Sequence, residues 1–388
     1  MNKFGIISLI MAFALFIVFK TPVFAEEAAY NPQAEPIFAS GKVLEIVDIK
    51  ENKELSASFQ SEQMVQTVKV LVLNGKYKGQ TILIENNLTA NPAYDINIKP
   101  GQRVVLSIDD AIQPPTFFIA DIERYPVLMI ILGVFLGLLL LVGGMKGMYS
   151  IISLGTTALL VFFVLVPAIL NNYPPIPSAI VVALVSTFIT MVFVGGVNLK
   201  SLAASLGTVL SVLAAGIIAM LAIHFAVLNG FHDQESTILL MERPELNFTS
   251  ILAAAVIIGA LGAVMDVGMS IASSIYELKS VNNSLTPAEL FKSGMNVGRD
   301  TMGTMANTLI LAYVGGAFSL ILLAANAPVV KLINLGSVAT EIVAALAGSI
   351  GIVVCVPVTA VIAGYLIGNS KEFKGACVCE NKPETALR

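Results

Sequence analysis

Tryptophan is absent from these 388 residues, cysteine occurs three times, histidine twice, and charged residues make up only 12%. A soluble globular chain carries roughly 25% charged residues. Set against 56% hydrophobic residues, this shortage of charge excludes a water-soluble fold for most of the chain and points to an integral membrane protein. Cys355 lies in an apolar run, and Cys377 and Cys379 lie in the last dozen residues, which excludes a disulfide framework. The net charge of -4 comes with no basic cluster, so nucleic acid is excluded as a partner. Gly-x-x-x-x-Gly-Lys-Ser/Thr and His-Glu-x-x-His are both missing. Those gaps remove the evident ATP site and the zinc-protease site. No cofactor, no metal and no enzyme activity are expected.

What is present falls into four parts. Residues 1–25 read as a secretory signal peptide: Lys3, the apolar run Phe4–Phe19, then Val23-Phe24-Ala25 before the acidic start at Glu26. Residues 26–124 carry a β pattern. Gly41–Lys50, Gln66–Leu73, Gln80–Glu85, Gln102–Ile108 and Phe117–Ile122 are short, rich in Val and Ile, and bounded by turn signals such as Asn74-Gly75 and Lys99-Pro100-Gly101. Five short strands predict a small extracytoplasmic β domain, with an OB-like barrel as one form. The absence of clustered stacking aromatics there favours a spacer or docking module over a ligand site.

From Tyr125 the apolar runs reach the roughly 20 residues that a helix needs to cross the hydrocarbon core. Seven are expected: 126–144, 148–170, 176–196, 201–228, 249–273, 303–325 and 338–367. The fold class is therefore mainly α: a polytopic bundle over 125–368, with a cytoplasmic tail at 369–388. Predicted inner segments hold Lys146, Lys200, Lys279, Lys292, Arg299, Lys371 and Lys374, whereas predicted outer loops hold Arg243 and Lys331. This asymmetry orients residues 26–124 outside a bacterial cytoplasmic membrane and the C-terminus inside. Pairs such as Gly133/Gly137 and Gly143/Gly147 suit close helix packing in lipid. Pro357, inside the seventh run, should kink its helix or free a carbonyl.

Polar residues within those runs are the candidate site. At 100° per residue Gly259, Gly262, Asp266, Ser270, Ser273 and Glu277 share one face of the fifth span. Asp300, Thr304 and Asn307 share a face at the inner mouth of the sixth. Two polar-striped helices joined at the inner side are expected to face each other, with Arg299 as partner for one of the acids. An ionisable residue in a span is costly and marks a functional site by default. The two readings are a proton or ion relay through Asp266 and a structural Asp266–Arg299 pair with Glu277 simply solvated.

Other features take a plainer reading. His232, Asp233, Glu235, Glu242 and Glu245 form an acidic outer loop whose spacing matches no defined metal site. His224 reads as interfacial packing, and Cys377-x-Cys379 as a reduced tail. Asp266 with Asp300 lacks the mid-membrane depth that an intramembrane aspartyl protease needs.

The stretches GALGAVMDVGMSIASSIYEL (259–278) and GMNVGRDTMGTMANTLILAYVGG (294–316), within an exported β segment followed by many spans, resemble the YibE/F-like family of bacterial polytopic membrane proteins. That resemblance covers the whole layout and implies little about activity. The sixty residues around Asp266, Ile275-Tyr276-Glu277-Leu278 and Asp300-Thr301 to Asn307-Thr308-Leu309 are also similar to the core of the SecD/SecF and resistance-nodulation-division permeases. This second likeness implies use of a proton gradient through intramembrane acids. The expected function is a transporter or permease-like component, with a proton or ion and the lipid bilayer as partners. The alternative is a non-transporting assembly scaffold whose exported β domain docks a protein partner.

Overall fold

The computed structural model describes residues 37–51, 64–89, 91, 93, 95–110, 114–231, 233–325 and 328–370. The expected signal peptide, His232, Cys377, Cys379 and nearly all of the expected tail lie outside the described residues. The chain forms two compact units that divide between Leu138 and Leu139.

The first unit is built on a five-stranded antiparallel half-barrel sheet. Its strands are β1 (Ile37–Glu51), β2 (Met64–Val72), β3 (Thr81–Leu88), β4 (Arg103–Asp109) and β5 (Thr116–Ile122), in the order β3-β2-β1-β4-β5. Each expected strand is present, because alternation of Val and Ile with polar residues gives one face to a core. Val43, Val68, Val70, Ile84, Val104, Leu106 and Ile108 fill that core. The long β1 is irregular between Val43 and Glu45 and between Ile46 and Asp48. Such bulges bend a strand and let it serve both sides of a curved sheet. Gly41 sits where Val70 and Leu106 close over the strand, and a Cβ there would lie 2.6 Å from Val70 Cγ1. Buried Asn86 donates to Gln66 Oε1 at 3.3 Å and to Ile96 O at 2.9 Å, while Gln66 donates to Ile98 O at 3.3 Å. These amides satisfy carbonyls of the segment before β4, which brings Ile98 into the core.

Helix α1 (Tyr125–Leu160) begins in the first unit and continues into the second. A π turn at Val161–Leu165 and α2 (Val166–Leu170) extend it to 46 residues. It breaks at Gly144, whose φ of 53° and ψ of -131° leave the helical region; a side chain would strain that backbone. Gly147 lies directly against the backbone of Leu139. In a straight helix, residues eight apart are about 12 Å apart at 1.5 Å rise, so the chain turns sharply at Gly144.

The rest of the second unit comprises α3 (Pro175–Gly195), α4 (Leu199–Phe225), α5 (Gln234–Glu242), α6 (Phe248–Val281), α7 (Pro287–Gly316), α8 (Phe318–Ala324), α9 (Val329–Ile333) and α10 (Gly336–Gly368). Asn198 and Asn247 cap α4 and α6 by accepting from Ser201 N and Ser250 N, each at 3.0 Å. Thr286 and Glu289 form a capping box on α7 with Pro287 in its first turn.

Five helical runs are long and apolar enough to cross a membrane: 125–170, 175–195, 199–225, 248–281 and 336–368. The difference from the expected seven has two causes. The runs expected at 126–144 and 148–170 fall in one continuous 46-residue segment with its break at Gly144. The run expected at 303–325 is divided at Ala317 between α7, which ends at Gly316 and carries Lys292, Arg299 and Asp300, and the seven-residue α8, so neither helix is both long and apolar enough.

Contacts fix the helix directions. Ser153 and Thr157 of α1 meet Thr190 and Ser186 of α3, an antiparallel pair. Gly216 and Thr208 of α4 meet Ile257 and Gly268 of α6, again antiparallel. Gly294 and Gly298 of α7 meet Ile275 and Ile271 of α6 in the same sense. In contrast, Gly348 and Gly351 of α10 meet Ala260 and Val264 of α6, so these two run parallel. Small residues carry nearly all of these contacts, as close packing without a hydrophobic driving force requires. Pro357 lies inside α10, which runs unbroken to Gly368.

Candidate functional site

A groove of about 480 Å³ opens between α1, α3 and α6. Val161, Val182, Met191, Val194, Met265 and Met269 make most of its wall apolar. Its polar groups are Ser150, Ser153, Thr157, Thr190 and Asp266, and Asp266 is the one ionisable residue among those lining it. The hydroxyls are engaged by neighbours. Ser153 donates to Thr190 at 2.6 Å, Thr157 and Ser186 share a bond of 2.7 Å, and Ser150 donates to Lys146 O at 3.1 Å. Asp266 is exposed in the groove and makes no hydrogen bond or ion pair with the described residues. Gly262 and Gly259 sit one and two turns before it on the same wall, and a Cβ on Gly262 would touch nothing within 4 Å.

The other expected site residues divide into three places. Ser270 and Glu277 are exposed along the stripe that continues from Asp266, and Ser273 bonds Met269 Sδ at 3.5 Å. Arg299, Asp300, Thr304 and Asn307 are exposed on α7 and do not meet Asp266. The physical reason lies in Gly294 and Gly298, which are buried against Ile275, Ile271, Val356 and Ala360. Those glycines dictate which side of α7 approaches the bundle, and Asp300 and Asn307 lie roughly 120–180° away from them around the helix. Thr304 donates to Thr301 O at 2.9 Å, a bond within its own helix. Neither Arg299 nor Asp300 forms an ion pair among the described residues, so the expected Asp266–Arg299 pair does not form.

Several residues matter that the polar stripes did not reveal. Ser150, Ser153, Thr157 and Thr190 supply the opposite wall of the groove, and scattered hydroxyls in apolar runs were their only sequence signal. Lys279 is buried at 6% exposure and donates to Asn283 O at 2.9 Å and Leu285 O at 2.8 Å. It ties the α6–α7 turn together instead of standing free in a loop. Lys200 lies over the Tyr276 ring, 5.8 Å from its centroid. At the next turn Glu289 accepts from Thr286 N at 2.8 Å, and that backbone bond holds its carboxyl below the usual value. Between α4, α6 and α10, Cys355 lies 3.5 Å from Val264 O and 3.3 Å from Thr359 Oγ1, while the hydroxyl of buried Thr208 has no hydrogen-bond partner among the described residues. The acidic outer segment does not assemble into a metal cluster, and no other group of three ligating residues does so among the described residues.

Two family models match the chain. The YibE/F-like protein model covers residues 131–369, and the YibE/F family N-terminal domain model covers residues 39–122. Neither a curated protein nor a solved structure matches, so the likeness to SecD/SecF permeases rests on the quoted residues alone. The half-barrel sheet and the helical bundle with its Asp266 groove coincide with these two matched regions, and the chain belongs to the YibE/F-like family.

Proposed function

We propose that this membrane protein is a transporter or permease-like component in which Asp266 takes up and releases a proton or a small cation from the groove between α1, α3 and α6. The observation that carries the reading is that Asp266 is the one ionisable group lining the groove and has no internal partner among the described residues. A carboxylate at membrane depth that is neither paired nor capped is costly. It is tolerable where it meets water, an ion or a transported group. The methionines at 191, 265 and 269 give the wall a deformable lining.

A seven-pass threading is part of this proposal, beyond the five helical runs that are long and apolar enough to cross a membrane. The sharp turn at Gly144 lets the 46-residue run make two passes, and α7 adds another. Helix directions alternate as such a threading requires. The β unit then lies outside the cytoplasmic membrane, with an OB-like closure between its edge strands.

Carbodiimide labelling tests the assignment, since these reagents add to a protonated carboxyl in an apolar setting. Membranes bearing the full chain should show modification at Asp266, suppressed by a competing cation or by raised pH. An unmodified Asp266, under conditions where other carboxyls of the chain react, sinks the proposal. A second reading, an assembly scaffold, draws on the exposed Phe38 (62%), Leu83 (65%) and Phe118 (53%) of the sheet, which offer apolar contact to a protein partner.

A further inference from the structure

Three methionines line the groove beside Asp266: Met191 on α3, and Met265 and Met269 on α6. Helix geometry brings them together. Met191 and Gly195 are four residues apart on one face of α3, and Met265 and Met269 are spaced alike on α6. Gly195 packs against Met269, so that a Cβ at 195 would lie 2.7 Å from Met269 Cε and 3.4 Å from its Sδ. The α3 helix folds back on α4 after a short turn, and α4 is antiparallel to α6. The α3 and α6 helices are therefore parallel, and one turn back along both Met191 comes level with Met265. Ser273 donates to Met269 Sδ at 3.5 Å, which uses one of the two lone pairs of that sulfur.

We infer that this groove binds a soft monovalent metal ion, Cu(I), with the thioethers of Met191, Met265 and Met269 as ligands and the Asp266 carboxylate as the balancing charge. The inference rests on the proposed uptake at Asp266 and names the class of cation taken up. Methionine sulfur stands apart from the His, Cys, Asp and Glu side chains that form no cluster among the described residues.

The donor set selects the ion. A thioether is a neutral, soft ligand that favours Cu(I) over hard cations. Ca2+ needs about six to eight oxygens around it. The groove's hydroxyls are instead engaged with one another, Ser153 with Thr190 and Thr157 with Ser186, or with a backbone carbonyl, as Ser150 is. One carboxylate also cancels the charge of a monovalent ion, whereas a divalent ion would keep an uncompensated charge at membrane depth. Because thioethers carry no proton, the single acid is the group at which metal and proton compete.

Silver(I), which needs no reductant, is the probe. The full-length chain with Cys355, Cys377 and Cys379 replaced by Ala is purified into lipid vesicles and titrated in a chloride-free nitrate buffer. Calorimetry should show one Ag(I) bound per chain. Met265→Leu with Met269→Leu, and Asp266→Asn, should each weaken binding about tenfold or more. Met302→Leu, on α7 outside the groove, should not. A second readout needs no variant: Ag(I) should protect Met265 and Met269 from peroxide oxidation while Met241, 79% exposed on α5, still oxidises. Ag(I) should also suppress carbodiimide labelling of Asp266 where excess Na+ does not. No bound Ag(I), binding that survives the methionine changes, or equal suppression by Na+ would overturn the inference. Labelling of Asp266 in those same membranes would show that the carboxyl reading stands and that the methionine site alone has failed.

Discussion

Gly298 of α7 packs against Val356 of α10 with no room for a side chain between them. That contact, repeated one turn earlier where Gly294 meets Ile275 and Ala360, sets the rotation of α7. It turns Asp300, Thr304 and Asn307 away from Asp266 and leaves the acid with a groove of its own. Four predictions follow from this arrangement and from the β unit.

Gly298→Val should destabilise the bundle, because the added methyls collide with Val356 and Ile271 and neither helix can retreat. Overpacking of this kind costs about 1–3 kcal/mol. Thermal unfolding in detergent should show a lowered midpoint, whereas Gly303→Ala, at an open position, should leave the midpoint unchanged.

Asp266→Asn keeps volume and hydrogen-bonding capacity, so the variant should express and unfold as the parent does. Any gradient-dependent phenotype supported by the protein should be lost. Since Asp266 and Arg299 do not pair, Asp266→Asn with Arg299→Gln should show no mutual rescue in a double-mutant cycle. A stabilising coupling between them would contradict the observed placement.

In the β unit, the Asp110 carboxylate accepts from Lys76 Nζ at 2.6 Å and from the Tyr77 hydroxyl. The Lys76 bond comes first in holding Asp110 below its ordinary 3.8, and Asp110 in turn raises Lys76 above 10.5. The depressed acid contributes stability that is fully present above pH 3.8 and is lost as pH falls through its lower folded value. The raised ammonium contributes stability that is fully present below pH 10.5 and is lost as pH rises through its higher folded value. Residues 26–124, made alone, should fold as a β domain without disulfides. Lys76→Met should narrow its stability plateau at both ends, by a small amount because the pair is exposed. Denaturant midpoints measured from pH 2 to pH 12 check the shape.

Side-specific labelling checks the orientation. Gln80→Cys in the β unit should react with an impermeant maleimide on intact cells, and Ser284→Cys in the α6–α7 turn should react only after permeabilisation. Reaction of Ser284→Cys from outside would reverse the map.

Much of the architecture was legible in order along the chain. Strand alternation around Val43, Val70 and Leu106 and apolar runs bounded by Asn198, Asn247 and Thr286 are local signals, because propensity, capping and burial period act over a few residues. The family was legible for the same reason, in the continuous stretches around Asp266 and Asp300. Which faces meet was not. A helical wheel shows that Asp266 and Asp300 each lie on a polar stripe, yet it says nothing about which stripe is turned inward. That choice fell to Gly294, Gly298, Gly348 and Gly351, where backbones approach most closely. The sequence by itself determined the elements, their membrane character and the acid at 266. Only the tertiary structure decided that Asp266 faces Ser153, Thr157 and Thr190 across a groove while Asn307 faces outward, because close packing in lipid is governed by the smallest residues and not by the most polar ones.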